Sequence, residues 1–284
     1  MYDSTKTKYK RSASKYAGRK TGSKALVKAK TRPAELDTKA TPLMRKIVKE
    51  IIQRGEEKKI GQIVGQLSLC AYNTGNPYTS QNILPMTPYA VSGMTIAPGT
   101  NQNQRIGNRI TVVKARLKGI MWPVPYGANN ANPVPQNVRC WFFTPKASNL
   151  LPSSLPSFLQ GSNGNSNSPQ GVILDLVQHV NSDAYRYLAH YDFKVAPATY
   201  SATPGIPSQS WYYANNDYKW NCEFDIDMTK FFPKHIDFND SDNTPYSRLV
   251  CCYWEAVDAD GGTSNITDTT VYLQYNNYLT YTDA

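Results

Sequence analysis

The sequence is poor in the residues that build most catalytic and metal centres: it holds three His and five Cys in 284 residues. Cys70, Cys140, Cys222, Cys251 and Cys252 are an odd set without a Cys-x-x-Cys pair, which argues against a disulfide framework and a structural zinc site. They read as reduced thiols buried in β-structure. Charged residues make up 18% of the chain, below the ~25% usual for soluble domains. No apolar run approaches the ~18 residues that a membrane-spanning helix needs. The N-terminus is basic but no apolar stretch follows it, so a secretory signal is not expected. The sequons at Asn239 and Asn265 therefore carry little weight. Walker A, G-x-S-x-G and H-E-x-x-H are all missing. His179, His190 and His235 are scattered, and His190 and Asp192 share a strand face with no assignable nucleophile. No catalytic residue is predicted, and the chain reads as a non-enzyme.

No resident metal is predicted either. Asp237, Asn239, Asp240 and Asp242 resemble the start of a calcium loop, but the required Gly is missing and Arg248 stands where Glu is needed. Asp225 with Asp227, and Asp258 with Asp260, are oxygen pairs that suit Ca²⁺ across a subunit boundary.

What the chain does have is a core and a strongly divided charge. Hydrophobic residues are 40% and aromatics 12%, enough to bury a core, and 20 Tyr, 19 Pro and 17 Gly favour strands and turns over helices. Residues 1–32 hold eleven Lys or Arg and one acid, a net charge of +10, which equals that of the whole chain. Residues 33–59 carry +2 and residues 60–284 carry −2. A block so basic and so short of apolar residues is predicted to be a disordered arm, over 1–40.

The arm interleaves basic residues with Tyr, and Tyr2, Tyr9 and Tyr16 fall seven apart. Lys and Arg neutralise phosphates and release counterions, while Tyr stacks on unpaired bases. The predicted nucleic-acid ligands are Lys6, Lys8, Tyr9, Lys10, Arg11, Lys15, Tyr16, Arg19, Lys20, Lys24, Lys28, Lys30 and Arg32. The clusters Lys8–Arg11 and Arg19-Lys20 also suit nuclear import.

A short amphipathic helix is expected over 41–58. Thr41 suits the N-cap and Pro42 the first turn; Leu43, Ile47, Val48, Ile51 and Ile52 form a stripe, and Gly55 ends it. Such a helix docks on its own domain, on a neighbouring subunit, or on a membrane surface.

From residue 59 the pattern has period two. Leu67 to Ala71, Val113 to Leu117, Tyr187 to Val195, Cys222 to Met228 and Val271 to Tyr275 alternate apolar with polar residues. Val113, Ala115 and Leu117 are assigned to one face, with Lys114, Arg116 and Lys118 opposite. Val138–Phe143 and Leu249–Trp254 are continuous apolar runs. These give seven or eight strands. Residues 73–104, 123–137 and 146–184 read as long irregular loops, and 147–174 lack any charged side chain. No βαβ rhythm occurs. The expected fold of 59–284 is all-β, an eight-stranded antiparallel jelly-roll sandwich.

Gln104-Arg105-Ile106-Gly107-Asn108-Arg109-Ile110 leads into a basic strand, Tyr185 to Lys194 forms a later one, and the chain closes on Thr269–Tyr281. With the basic Tyr-containing arm, this layout resembles the capsid proteins of small circular, Rep-encoding single-stranded DNA viruses, the circovirus-like group. The Arg-Ile-Gly segment and the Arg186–Lys194 strand resemble that family's second and fifth strands.

The resemblance implies a self-assembling icosahedral shell of sixty copies, with arms facing inward on a packaged single-stranded genome, preferred as DNA. Arg105, Arg109, Lys114, Arg116 and Lys118 would extend the inner basic surface. It further implies a virion location, passage through the host nucleus with its import machinery as partner, and a cell-surface receptor. Coat proteins of small single-stranded RNA viruses and satellites share the plan of arm plus jelly roll. A non-viral nucleic-acid-binding β-protein is a second class. A carbohydrate-binding sandwich with Trp211, Tyr212 and Tyr213 as a sugar platform is a third, and it leaves the arm unexplained.

Overall fold

The computed structural model describes residues 42–55, 57–70, 82–89, 93–124, 134–147, 150–196, 217–239, 245–259 and 270–283. The chain divides into two units, Met1–Glu56 and Glu57–Ala284. The predicted arm, with all thirteen of its candidate ligands, lies outside the described residues, as do Thr41 and Trp211–Tyr213.

In the first unit, helix α1 spans Pro42–Gly55. Pro42 opens it, because its missing N–H costs nothing in the first turn. Leu43, Met44, Ile47 and Val48 are exposed.

In the second unit the strands, in chain order, are β1 (Lys59–Leu69), β2 (Ile83–Pro85), β3 (Arg109–Pro123), β4 (Gln136–Pro145), β5 (Leu159–Gln160), β6 (Ser166–Asn167), β7 (His179–Val180), β8 (Tyr185–Val195), β9 (Cys222–Asp227), β10 (His235–Asp237), β11 (Cys251–Asp258) and β12 (Val271–Asp283). One sheet runs β1-β12-β3, with β9 and β10 lying end to end along the far side of β3. The other runs β2-β11-β4-β8. All these pairings are antiparallel. Counting β9 and β10 as one position gives eight strands in two four-position sheets, between which the chain passes back and forth. That is the jelly roll. The Arg-Ile-Gly segment leads into the third of these positions, not the second, because the short β2 precedes it. The Arg186–Lys194 segment lies in β8, the fifth.

The main core lies between the sheets. Leu117, Met121, Leu273 and Leu279 meet Cys140, Phe142, Cys252 and Trp254 from the opposite layer. Phe193, Phe224 and Trp254 pack ring on ring, with centroids 5.3 to 5.9 Å apart. Lys59, buried at the start of β1, is neutralised by Asp283 at 2.7 Å. None of the five cysteines is in a disulfide; three are buried and two half-buried.

A second core covers the outer face of the β2-β11-β4-β8 sheet, and it corrects the expectation of an irregular loop over 146–184. That segment is structured: β5, β6 and β7 form a small sheet, and 3₁₀ turns occupy Ser162–Gly164 and Ile173–Leu176. Its Leu155, Phe158 and Leu159 bury against Trp141, Phe143, Tyr185 and Tyr253. The absence of charge over 147–174 follows, because much of the segment is a lid on a sheet. It also explains why all of β11 is buried. Cys252 and Trp254 face the main core while Cys251 and Tyr253 face the second, so the strand reads as one apolar run.

Two irregularities change the predicted faces. In β3, Val112 pairs with Tyr281 and Lys114 with Thr280, leaving Val113 unmatched in a bulge. Val113 is therefore exposed, whereas alternation placed it with Ala115 and Leu117. In β8, Phe142 pairs with Ala189 and Phe143 with Tyr187, so Leu188 is the extra residue. Tyr187 consequently turns to His190, its hydroxyl 2.7 Å from Nδ1, rather than to the face of Ala189 and Tyr191.

Candidate nucleic-acid interface

The solvent face of the first sheet is a grid set by cross-strand register. Lys114 lies beside Thr280 and Ile60; Arg116 beside Tyr278 and Gln62; Lys118 beside Asn276 and Val64. Ile120 lies beside Gln274 and Gln66, and Trp122 beside Tyr272 and Ser68. Across the other edge of β3, Asp227, Asp225 and Glu223 stand opposite Arg116, Lys118 and Ile120. Lys114, Arg116 and Lys118 thus share one face, as the alternation predicts.

Their charge is largely offset. Asp225 binds both Arg116 (2.9 Å) and Lys118 (3.3 Å). Asp227 is held below the usual carboxylate range, first by a hydrogen bond from the Thr229 side chain and then by its amide, which donates at 2.9 Å. Arg116 and Lys114 add a smaller electrostatic pull. Three cations therefore stand against Glu223, Asp225 and Asp227. Aromatic groups complete the face: Trp122 and Tyr272 lie 6.0 Å apart, and Lys118 sits 5.8 Å above the Tyr278 ring. An open depression of about 660 Å³ lies among Val64, Lys118, Ile120, Glu223, Gln274 and Asn276.

The two other predicted ligands behave differently. Arg105 is buried at 1% exposure, stacked 4.4 Å over Phe238 and hydrogen-bonded to the Gly107 carbonyl and to Asn108 Oδ1. It organises the entry to β3 and is not presented to a phosphate, which corrects its assignment as a surface ligand. Arg109 is exposed, but its Nε donates to Asp237 at 2.5 Å, which raises its pKa.

A polar cluster, buried at Asp175 and Glu255 and open to solvent at Asp192, pins the lid, and the sequence pattern alone does not reveal it. Arg139 of β4 makes a two-pronged pair with Asp192 of β8, at 2.5 and 2.8 Å. Its third arm reaches the Leu176 carbonyl in the lid, and the guanidinium lies 5.5 Å from the Trp141 ring. Beside it, the amides of Gln170, Gly171 and Val172 donate to Asp175 Oδ2 at 2.7, 2.8 and 3.2 Å. Glu255 of β11 accepts from Gly171 at 2.9 Å. Burial, and then the neighbouring Asp175, push the Glu255 pKa well up. Arg139 faces Glu255 across the strands and opposes that shift weakly. The only sequence signal was a Glu inside an otherwise apolar run.

The oxygen pairs considered for Ca²⁺ are engaged within the chain. Asp225 and Asp227 have the partners just described, and buried Asp258 accepts from Gln136 Nε2 at 2.5 Å; Asp260 lies outside the described residues. Among the described residues no three His, Cys, Asp or Glu gather as a metal site. His190 does share a face with Asp192, 3.9 Å away. No helix among the described residues is long and apolar enough to cross a membrane.

No family model matches the chain, and no curated protein matches it. Solved structures that are similar at low identity include the following. A structure of PNGF-II matches at TM-score 0.35 and 9% identity, over 82% of this chain and 36% of that one, so this chain spans about a third of its length. A 60-mer of BFDV capsid protein matches at TM-score 0.27 and 8% identity, covering 80% and 91% of the two chains. VP1 of Trichodysplasia spinulosa-associated polyomavirus, in complex with GM1 oligosaccharide, matches at 0.26 and 9%, covering 79% and 95%.

Proposed function

We propose that this protein is the capsid protein of a small virus, assembling from identical copies into a closed icosahedral shell and packaging single-stranded nucleic acid, DNA in preference, through residues 1–40. The observation that carries the reading is the separation of charge. A jelly roll whose residues 60–284 are near neutral is preceded by 32 residues that hold the entire net charge of +10. A solitary jelly roll has no physical need for such an arm. A wall that must hold a polyanion against one face does, and it binds by counterion release and base stacking, indifferent to sequence.

The β-domain supports a building role. The space between its sheets is packed with side chains. The Lys114–Lys118 face is balanced by acids, so the arm supplies nearly all the phosphate affinity. In this reading the protein is a non-enzyme that resides in the virion. Lys8–Arg11 and Arg19-Lys20 carry it into the host nucleus for assembly.

Deleting residues 2–32 tests the role of the arm. The truncated chain should fold, with unchanged β-sheet circular dichroism, and lose co-purified nucleic acid at moderate salt. Nucleic acid retained by the truncated chain would overturn the assignment.

A further inference from the structure

Among the described residues strand β1 is an edge of the first sheet, and from Gln62 to Ser68 it lacks the protection that the other edges carry. Edge strands expose a row of N–H and C=O groups that will pair with another chain unless shortness, proline or charge prevents it. β2 has three residues and ends in Pro85. β8 bears Arg186, Asp192 and Lys194. The far edge of the first sheet bears Glu223, Asp225 and Asp227 on β9, and His235 and Asp237 on β10. β1 has eleven residues, and the sequence from Ile60 to Gln104 contains no charged side chain.

The direction of the open groups follows from two bonds. The Ile60 amide donates away from β12, to the Gln102 carbonyl at 3.2 Å, and the Leu69 carbonyl accepts from Thr270 next to β12. Odd residues therefore bond to β12, and the main-chain groups of Gln62, Val64, Gln66 and Ser68 point outward. Among the described residues they have no partner. Their side chains are exposed, Val64 at 69%.

We infer that β1 pairs antiparallel with β1 of a second copy of this chain, about a two-fold axis perpendicular to the sheet at Gly65. That register uses every open group, setting Val64 opposite Gln66 and Gln62 opposite Ser68 on each side of the axis. A strand meeting its own copy is normally penalised where like charges face each other. Here no charge meets itself, and each donor finds an acceptor of the same strand type in an isologous contact. The basic arm fits this edge less well, because it would lay down a Lys or Arg about every third residue. The inference deepens the self-assembly reading and rests on it for the shell, but the pair itself does not require a shell.

The test uses the full chain. Val64→Pro removes an outward N–H that β12 does not use, so the fold should tolerate it. Val64→Lys adds an edge charge at an exposed site and guards against a folding artefact of the proline. Both variants should keep the wild-type circular dichroism and melt within a few degrees of it, while sedimentation shows loss of the two-fold pair. The double variant Val64→Cys with Gln66→Cys should give a covalent dimer under mild oxidation, which neither single variant gives.

Shells or dimers that persist unchanged in both Val64 variants overturn the inference and leave the shell reading standing. A wild-type dimer without shells, lost in both variants, upholds the edge and overturns the shell. Cross-linking to a different polypeptide overturns the second copy as occupant. A monomeric wild type overturns both readings.

Discussion

Asp175 and Glu255 meet at one amide: Gly171 N–H donates to Asp175 Oδ2 at 2.8 Å and to Glu255 Oε1 at 2.9 Å. The first carboxyl belongs to the lid and the second to the central strand of the sheet below it. Both are buried. Burial, and then the neighbouring Asp175, favour the protonated form of Glu255. The lid and the strand beneath it are thus joined at one backbone amide.

This sets a pH dependence of stability. The Glu255 pKa is raised in the folded state, so its stabilisation is complete below the unfolded-state pKa and is lost as pH rises through the folded one. The melting temperature should decline as pH climbs above the ordinary glutamate range. Glu255→Gln supplies a permanent donor to Asp175 and should flatten that decline. An equally steep decline in the variant would show that another group sets it.

The lid also depends on Phe158. Its ring has no exposure and lies 5.0 to 5.9 Å from Trp141, Phe143, Tyr185 and Tyr253. Phe158→Ala should cost ~3–5 kcal/mol in denaturant unfolding. The same change should deprotect lid amides to hydrogen exchange before those of β3 and β12. A loss below ~1 kcal/mol would mean the second core is not cooperative with the first.

Arg105 and the Lys114–Lys118 face separate structure from binding. Arg105→Ala removes a buried, hydrogen-bonded cation and should cost ~1–3 kcal/mol of stability while leaving affinity for single-stranded DNA unchanged. A drop in affinity at unchanged stability would restore Arg105 as a ligand.

Asp225→Asn, made in the chain lacking residues 2–32, releases Arg116 and Lys118 from their shared acid. Single-stranded DNA binding should strengthen, and its salt slope should steepen by ~0.7 for each phosphate gained. No change in slope would show that this face makes no phosphate contacts even when its cations are released.

Much of the fold was legible because β-structure writes itself in period two. β12 and β9 alternate cleanly, and the apolar run of β11 correctly marks a strand buried on both sides. The bulges at Val113 and Leu188 were not legible, since an extra residue is visible only against the partner strand. The lid reads as a loop because its sequence is uncharged and rich in Pro and Ser, while its burial depends on the tertiary surface beneath. Arg105 was legible as a cation but not as a buried one, since Phe238 reaches it from 133 positions further along the chain. The shared face of Lys114, Arg116 and Lys118 is legible in the alternation, whereas their neutralisation by β9 depends on pairing β3 with a strand about a hundred residues further along the chain.

The central claim is that this chain closes into shells around nucleic acid. Negative-stain electron microscopy of the purified full-length protein, with the absorbance ratio at 260 and 280 nm recorded on the same sample, tests it most directly. The account predicts uniform round particles with raised 260 nm absorbance that nuclease alone does not remove. Small monodisperse species that stay small across salt and pH, with a protein-like ratio, would contradict it.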